Sequence, residues 1–230
     1  MVTKEQVGKS YTKAVAANQQ ASAIAKKAST YPDAQKYAKL IGSIASKTLG
    51  SADISWDLAE EVAEVVVEVL RKAHSDVTGV TAAVQRKINQ DAGIGLSPLS
   101  PRFDTGRAVG LAAELVSEEP VADGVIANLI INNVLHTVDE SVRVNMEAQE
   151  NVGLGTRITR EYDDVGLHNG TEPCLWCMAR AGTWTKYMEA LNAGVFERHP
   201  GCGCIIDYKV GKTHTISTGR SGRGWNFQNA

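Results

Sequence analysis

Asn151-Val152-Gly153-Leu154-Gly155 divides the chain into two parts of different character. Two glycines and an asparagine within five residues do not continue a helix. Just beyond this stretch, Arg157 to Tyr162 alternates with the period of a strand. Just before it, Ile126, Ile130, Val134, Val138, Val142 and Met146 recur at four-residue spacing. That spacing predicts a helix over residues 120–150 with one apolar face. Asn128, Asn132 and Asn133 interrupt the pattern and are expected to face solvent or to cap neighbouring elements.

Further towards the N-terminus the pattern stays helical. Residues 10–29 are rich in Ala, Lys and Gln, all strong helix formers. Tyr31-Pro32-Asp33 breaks that run and starts a second helix, which extends to about Leu49 and closes at Gly50. Asp53 is the expected N-cap of a third. There Ile54, Leu58, Val62, Val65, Val69 and Ala73 form a stripe opposite Glu60, Glu61, Glu64, Glu68 and Lys72. Gly79 is expected to end this helix before a shorter one that reaches Gln90. Gly93, Gly95, Pro98 and Pro101 predict a loop, and helical pattern resumes from Thr105 to Ser117.

Towards the C-terminus the informative residue is cysteine. All four cysteines lie between Cys174 and Cys204. Cys174-Leu175-Trp176-Cys177 and His199-Pro200-Gly201-Cys202-Gly203-Cys204 face each other across a 21-residue insert. C-x-x-C and H-x-x-C are spacings at which a tight turn aims two ligands at one tetrahedral ion. Zinc suits soft sulfur with imidazole and needs no redox role. Five candidates exist for four places: Cys174, Cys177, His199 and Cys202 are favoured, and Cys204 is able to replace either of the last two. A thioredoxin-like redox pair is the competing reading, and the second ligand pair argues against it.

The expected fold is therefore mainly α, in the α+β class. Residues 1–150 form a helical body, 151–217 a small zinc-stapled β module, and 218–230 a flexible basic tail. Within the module, Cys204 to Lys209 and Thr213 to Ser217 are expected to pair as a hairpin around Val210-Gly211-Lys212. With 230 residues, 43% of them apolar and 22% charged, the chain has the balance of a globular protein. The net charge of −2 gives no bulk attraction to nucleic acid or to a membrane surface. No apolar run approaches the roughly 18 residues of a membrane-spanning helix. Met1 to Glu5 has no apolar core, so no secretory leader is expected. Residues 1–150 carry 15 basic and 19 acidic side chains, residues 151–230 carry 9 and 7, so the excess of base is C-terminal. No acid follows Asp207, whereas Lys209, Lys212, Arg220 and Arg223 remain, with Trp225 and Phe227 after them.

Signals for catalysis are few. Pro173-Cys174-Leu175-Trp176-Cys177 matches the P-C-x-x-C half of the zinc deaminase signature. The H-x-E half is missing: His74 precedes Ser-Asp, His136 precedes Thr-Val and His168 precedes Asn-Gly. There is no H-E-x-x-H, no phosphate-binding P-loop and no G-x-S-x-G. His136 reads as a packed or solvated side chain and His214 as an exposed one.

A wider set of residues resembles a known family. It comprises Ile88-Asn89, Ala92-Gly93-Ile94-Gly95-Leu96, Val138 to Asn145, Gly153-Leu154, Ile158 with Arg160, Cys174 and Cys177 with Gly182, and Phe196, His199, Cys202 and Cys204. Together these resemble the minor head proteins of tailed bacteriophages, also called MuF-like or head-morphogenesis proteins, over roughly residues 85 to 217. Gly203 stands where that family usually carries arginine or another polar residue. The resemblance implies a non-enzymatic virion component inside the phage head near the portal. Portal or major capsid protein would be its partner, with packaged DNA a further partner of the basic tail and no membrane involved. It would assist head assembly or DNA packaging and delivery, and would sit in the host cytoplasm during assembly. The alternative is a zinc-dependent enzyme on nucleic acid, deaminase- or nuclease-like, or a toxin-type effector.

Overall fold

The structure is a computed structural model and describes residues 3–52, 59–116, 123–162 and 174–211. Among the described residues, six helices come first. The chain enters α1 (Lys4–Ala17) through a capping box of Thr3 and Gln6. It restarts at once as α2 (Gln19–Lys27), because Asn18 turns its side chain onto the amide of Ala21 at 2.9 Å. One continuous helix was the expectation for residues 10–29; an asparagine that caps its own successor divides it instead. Thr30 and Asp33 form a second capping box that opens α3 (Tyr31–Gly50) with Pro32 in the first turn.

α4 (Ala59–Asp91) runs for 33 residues straight through Gly79. The expected break there does not occur. A glycine inside a helix costs only about 1 kcal/mol, and Val77, Val80 and Val84 carry the buried stripe past it. The segment 92–104 then leads to α5 (Thr105–Leu115), capped by Asp104, and α6 (Asp123–Asn151) follows. The expected cap at Asp53, the stripe positions Ile54 and Leu58, Ser117 and the start of the 120–150 helix lie outside the described residues.

The buried faces of α3, α4 and α6 meet in one core around Ile41, Val66, Val69, Ile130, Val134 and Val138. α3 and α6 approach so closely at Gly42 that a Cβ there would lie 2.8 Å from the Ile131 Cα. Asn89 and Asn145 fasten the 92–104 segment to the body. Asn89 donates to the Leu96 carbonyl at 2.8 Å, and Asn145 both donates to and accepts from the backbone of Leu99, at 2.8 and 2.9 Å.

The C-terminal part adds a three-stranded antiparallel sheet in the order β2-β1-β3, with two short helices. These are β1 (Gly155–Glu161), α7 (Leu175–Met178), β2 (Gly182–Trp184), α8 (Tyr187–Asn192) and β3 (Ile205–Gly211). β3 pairs with β1 along its whole length, Gly155 opposite Gly211 and Glu161 opposite Ile205. Val210 and Gly211, expected in the turn of a hairpin, belong to β3 itself, where they pair with Thr156 and Gly155 of β1; residues 212–230, including the second expected strand, the basic tail and His214, lie outside the described residues. Ile158, Ile206, Tyr208 and Val210 face the helices and extend the same core. A run of buried amides crosses that junction. Tyr31 donates to Gln85 (2.7 Å), Gln85 and Gln149 both donate to Asn89 (2.8 and 2.7 Å), and Tyr208 donates to Gln149. Among the described residues no helix is long and apolar enough to cross a membrane.

Candidate metal centre

The cysteines gather where β1 ends and β3 begins. α7 is a single helical turn with Cys174 at its N-cap, and the Met178 amide donates to the Cys174 carbonyl at 2.9 Å. That turn sets Cys174 and Cys177 on one side, which is the physical content of C-x-x-C. The Tyr162 hydroxyl, at the end of β1, accepts from the Cys174 amide at 3.0 Å and anchors the turn. On the other side the Cys202 amide donates to the His199 carbonyl at 3.0 Å. Between them Pro200 is followed by Gly201 with φ +77°. Proline then a positive-φ glycine is the type II turn, and glycine takes that φ without strain.

All five sequence-predicted donors come together. Cys174, Cys177 and His199 form one group and Cys177, Cys202 and Cys204 a second, each with donor atoms within 4.8 Å of one another. The His199 Nε2 lies 3.3 Å from the Cys174 Sγ and 2.9 Å from the Cys177 Sγ, and the Cys177 and Cys202 sulfurs are 3.7 Å apart. A tetrahedron of 2.3 Å metal–sulfur bonds has edges of ~3.8 Å. These contacts are of the order of a tetrahedral edge; the two groups share Cys177, and among the described residues no four donors lie within 4.8 Å of one another. All four cysteines are free thiols, three of them buried and Cys174 half-buried.

The donor set fits a metal in its proton chemistry as well. His199 Nδ1 lies 2.7 Å from the Pro200 carbonyl. A carbonyl only accepts, so Nδ1 carries the proton and Nε2 turns its lone pair to the sulfurs. Trp176 holds the imidazole edge-on at 4.9 Å and is itself stacked by Arg180 at 3.8 Å. The thiols do not ionise together unaided. Burial pushes Cys177 up to about 12, and hydrogen bonding to Cys204 together with burial pushes Cys202 up further. Cys204 is lowered to about 7, chiefly by the hydrogen bond from Cys202. A bound cation is what allows several neighbouring thiolates to coexist.

Polar contacts fasten this cluster to α6. Arg198, next to His199, is fully buried against Asp139 of α6 through two hydrogen bonds, and donates to the Cys204 carbonyl at 3.1 Å. Burial opposes the charge of Arg198, and Asp139 outweighs it and raises its pKa. Asn132 is buried too and donates to the His199 carbonyl. Of the two expectations for it, solvent exposure is overturned, because the cysteine module covers that face of α6, and the side chain instead bonds the backbone of the neighbouring 199–202 turn. Arg143 reaches the Tyr187 hydroxyl at 3.2 Å, and Glu150 accepts from the Tyr187 amide at 2.6 Å. Asn132, Asp139, Arg143 and Glu150 follow one another at spacings of seven, four and seven, one face of a helix.

The sequence reading identifies the donors and misses their supports. Asp139 and Arg160 appear there only as positions of resemblance, and Arg198 not at all. The available signal is local: an arginine beside a candidate ligand histidine, and polar or charged residues at spacings of seven and four along α6. His136 is half-buried, and its Nδ1 is buried without a hydrogen-bond partner among the described residues, beside a small cavity also lined by His74 and Arg107. No protein-family model, curated protein or solved structure matches the chain.

Proposed function

We propose that this chain is a structural minor head protein of a tailed bacteriophage, placed inside the head near the portal, and that its cysteine cluster holds one structural zinc ion. The observation that carries this reading is how the resemblance positions are used. Asn89 and Asn145 fasten the 92–104 segment, Asp139 fastens the cysteine module, and Arg160 and the five donors meet in one cluster. The positions at which the chain resembles head-morphogenesis proteins thus serve attachment between parts of the molecule. That is what an assembly component needs, and it differs from the convergence of acid, base and open pocket that a reaction needs.

Zinc is the ion that soft thiolates with one imidazole favour when no electron transfer is required. Four or five protein donors around it leave no position for a catalytic water, which supports a non-enzymatic role. The basic residues Lys212, Arg220 and Arg223, with Trp225 and Phe227 after them, are the proposed contact with portal, capsid or packaged DNA. Mass spectrometry of purified procapsids and mature virions tests the assignment. A few copies per particle are expected, retained when the tail beyond residue 217 is present and reduced when it is deleted. Absence from both particle types overturns the head-protein reading.

A further inference from the structure

Arg160 is the largest fully buried side chain, at 1% exposure. A guanidinium removed from water requires a counter-charge. Arg198, equally buried, has Asp139. Arg160 has no carboxylate partner among the described residues. Its Nη1 donates to the carbonyls of Val195 and Glu197, its Nη2 to the Cys202 Sγ at 3.4 Å, and its Nε finds no partner. Carbonyls take the Nη1 hydrogens and leave the charge uncancelled. Among the described residues, the group in reach that can become an anion is cysteine sulfur.

We propose that Arg160 is the charge-balancing residue of the metal centre, and that it fixes the ligands as Cys174, Cys177, His199 and Cys202, with Cys204 outside the coordination shell. This rests on the metal reading above. A divalent ion with three thiolates and a neutral imidazole carries one net negative charge, which Arg160 cancels. Four thiolates would leave one negative charge buried without a partner, since Arg198 is already spent on Asp139. Cys202 is the ligand rather than Cys204 because it shares the type II turn with His199; both sulfurs lie within 4.8 Å of the Cys177 sulfur and both meet the Arg160 guanidinium, Cys202 at 3.4 Å. On binding, the three thiols release their protons to solvent.

The test uses the full chain loaded with zinc, or with cobalt(II) alone as a spectroscopic probe. X-ray absorption of the zinc protein is expected to count three sulfurs and one nitrogen. In the cobalt protein, Cys204→Ser should keep the full thiolate charge-transfer intensity, and Cys202→Ser should lose about a third of it, one thiolate of three. Arg160→Met should weaken metal binding by about 10–100-fold in competition with a chelating indicator, and Arg160→Lys should recover most of it. A four-sulfur shell, equal losses in the two cysteine variants, or unchanged affinity in Arg160→Met overturns the proposal. The sulfur count is made on the unaltered protein, so it stands even where a variant does not fold. A protein that takes up no metal defeats the metal reading itself, an outcome distinct from a wrong sulfur count.

Discussion

α6 has two working faces. One buries Ile130, Val134, Val138 and Val142 against other helices, and comes close enough to α3 that Gly42 meets the Ile131 backbone. The other presents Asn132, Asp139, Arg143 and Glu150 to the cysteine module. The first contact draws on buried apolar area, which is non-directional and tolerant of exchanges that keep volume. The second draws on matched charges and hydrogen bonds, where removing one partner leaves the other stranded in low dielectric. The body should therefore yield gradually to mutation, and the module should fail abruptly.

The largest effect that would test this contrast is removal of the proposed metal ion. In small zinc modules binding energy on the order of 10 kcal/mol is folding energy. Chelation is expected to abolish hydrogen-exchange protection over residues 174–204 while α3 and α6 keep theirs. Equal loss on α3 and α6 would make body and module one cooperative unit and dissolve the distinction.

Next in size is the buried ion pair. Asp139→Ala strands Arg198 and is expected to cost about 3–5 kcal/mol in denaturant unfolding. The double variant Asp139→Leu with Arg198→Met should recover most of that. A double variant as unstable as the single one would show that the pair supplies more than mutual neutralisation. On the apolar face, Val134→Ala removes two methyl groups and should cost about 2 kcal/mol with metal content unchanged. Metal loss in this variant would show that the two faces are coupled.

The smallest effect concerns pH. Burial lowers the pKa of His74, and burial with the nearby Arg107 charge lowers that of His136. The unfolded chain, with histidines near 6.5, takes up these protons before the folded one does. Stability is therefore full above about pH 7.5 and falls as pH drops through 6.5 towards the folded values. Urea unfolding at about pH 7.5 and about pH 6 should show a smaller acid loss in His136→Gln than in the unaltered protein. Equal losses would remove His136 from the account.

Local signals in this sequence are legible and distant ones are not. Tyr31-Pro32-Asp33 marks the start of α3, the apolar stripe marks α6, and the cysteine and histidine spacings mark two turns that the structure shows as a helical turn and a type II turn. Each of those is decided within a few residues. Gly79 misleads because a weak local penalty is outweighed by packing along the rest of α4. Asn18 misleads because alanine-rich neighbours hide a cap. Asp139 with Arg198, 59 residues away, and Gln35 with the Ile206 amide, 171 residues away, leave no periodicity to read.

That 59-residue separation also sets an order in time. At about 5–20 residues per second, the ribosome makes Asp139 roughly 3–12 seconds before it makes Arg198. Over that interval the nascent α6 can already pack its apolar face on α3 and α4, whose sequences precede it. Its other face has to stay wet, because a carboxylate does not enter a dry interface without its guanidinium. The last step of folding is thus held back by synthesis itself, and it falls when His199 and the final cysteines become available to a metal ion.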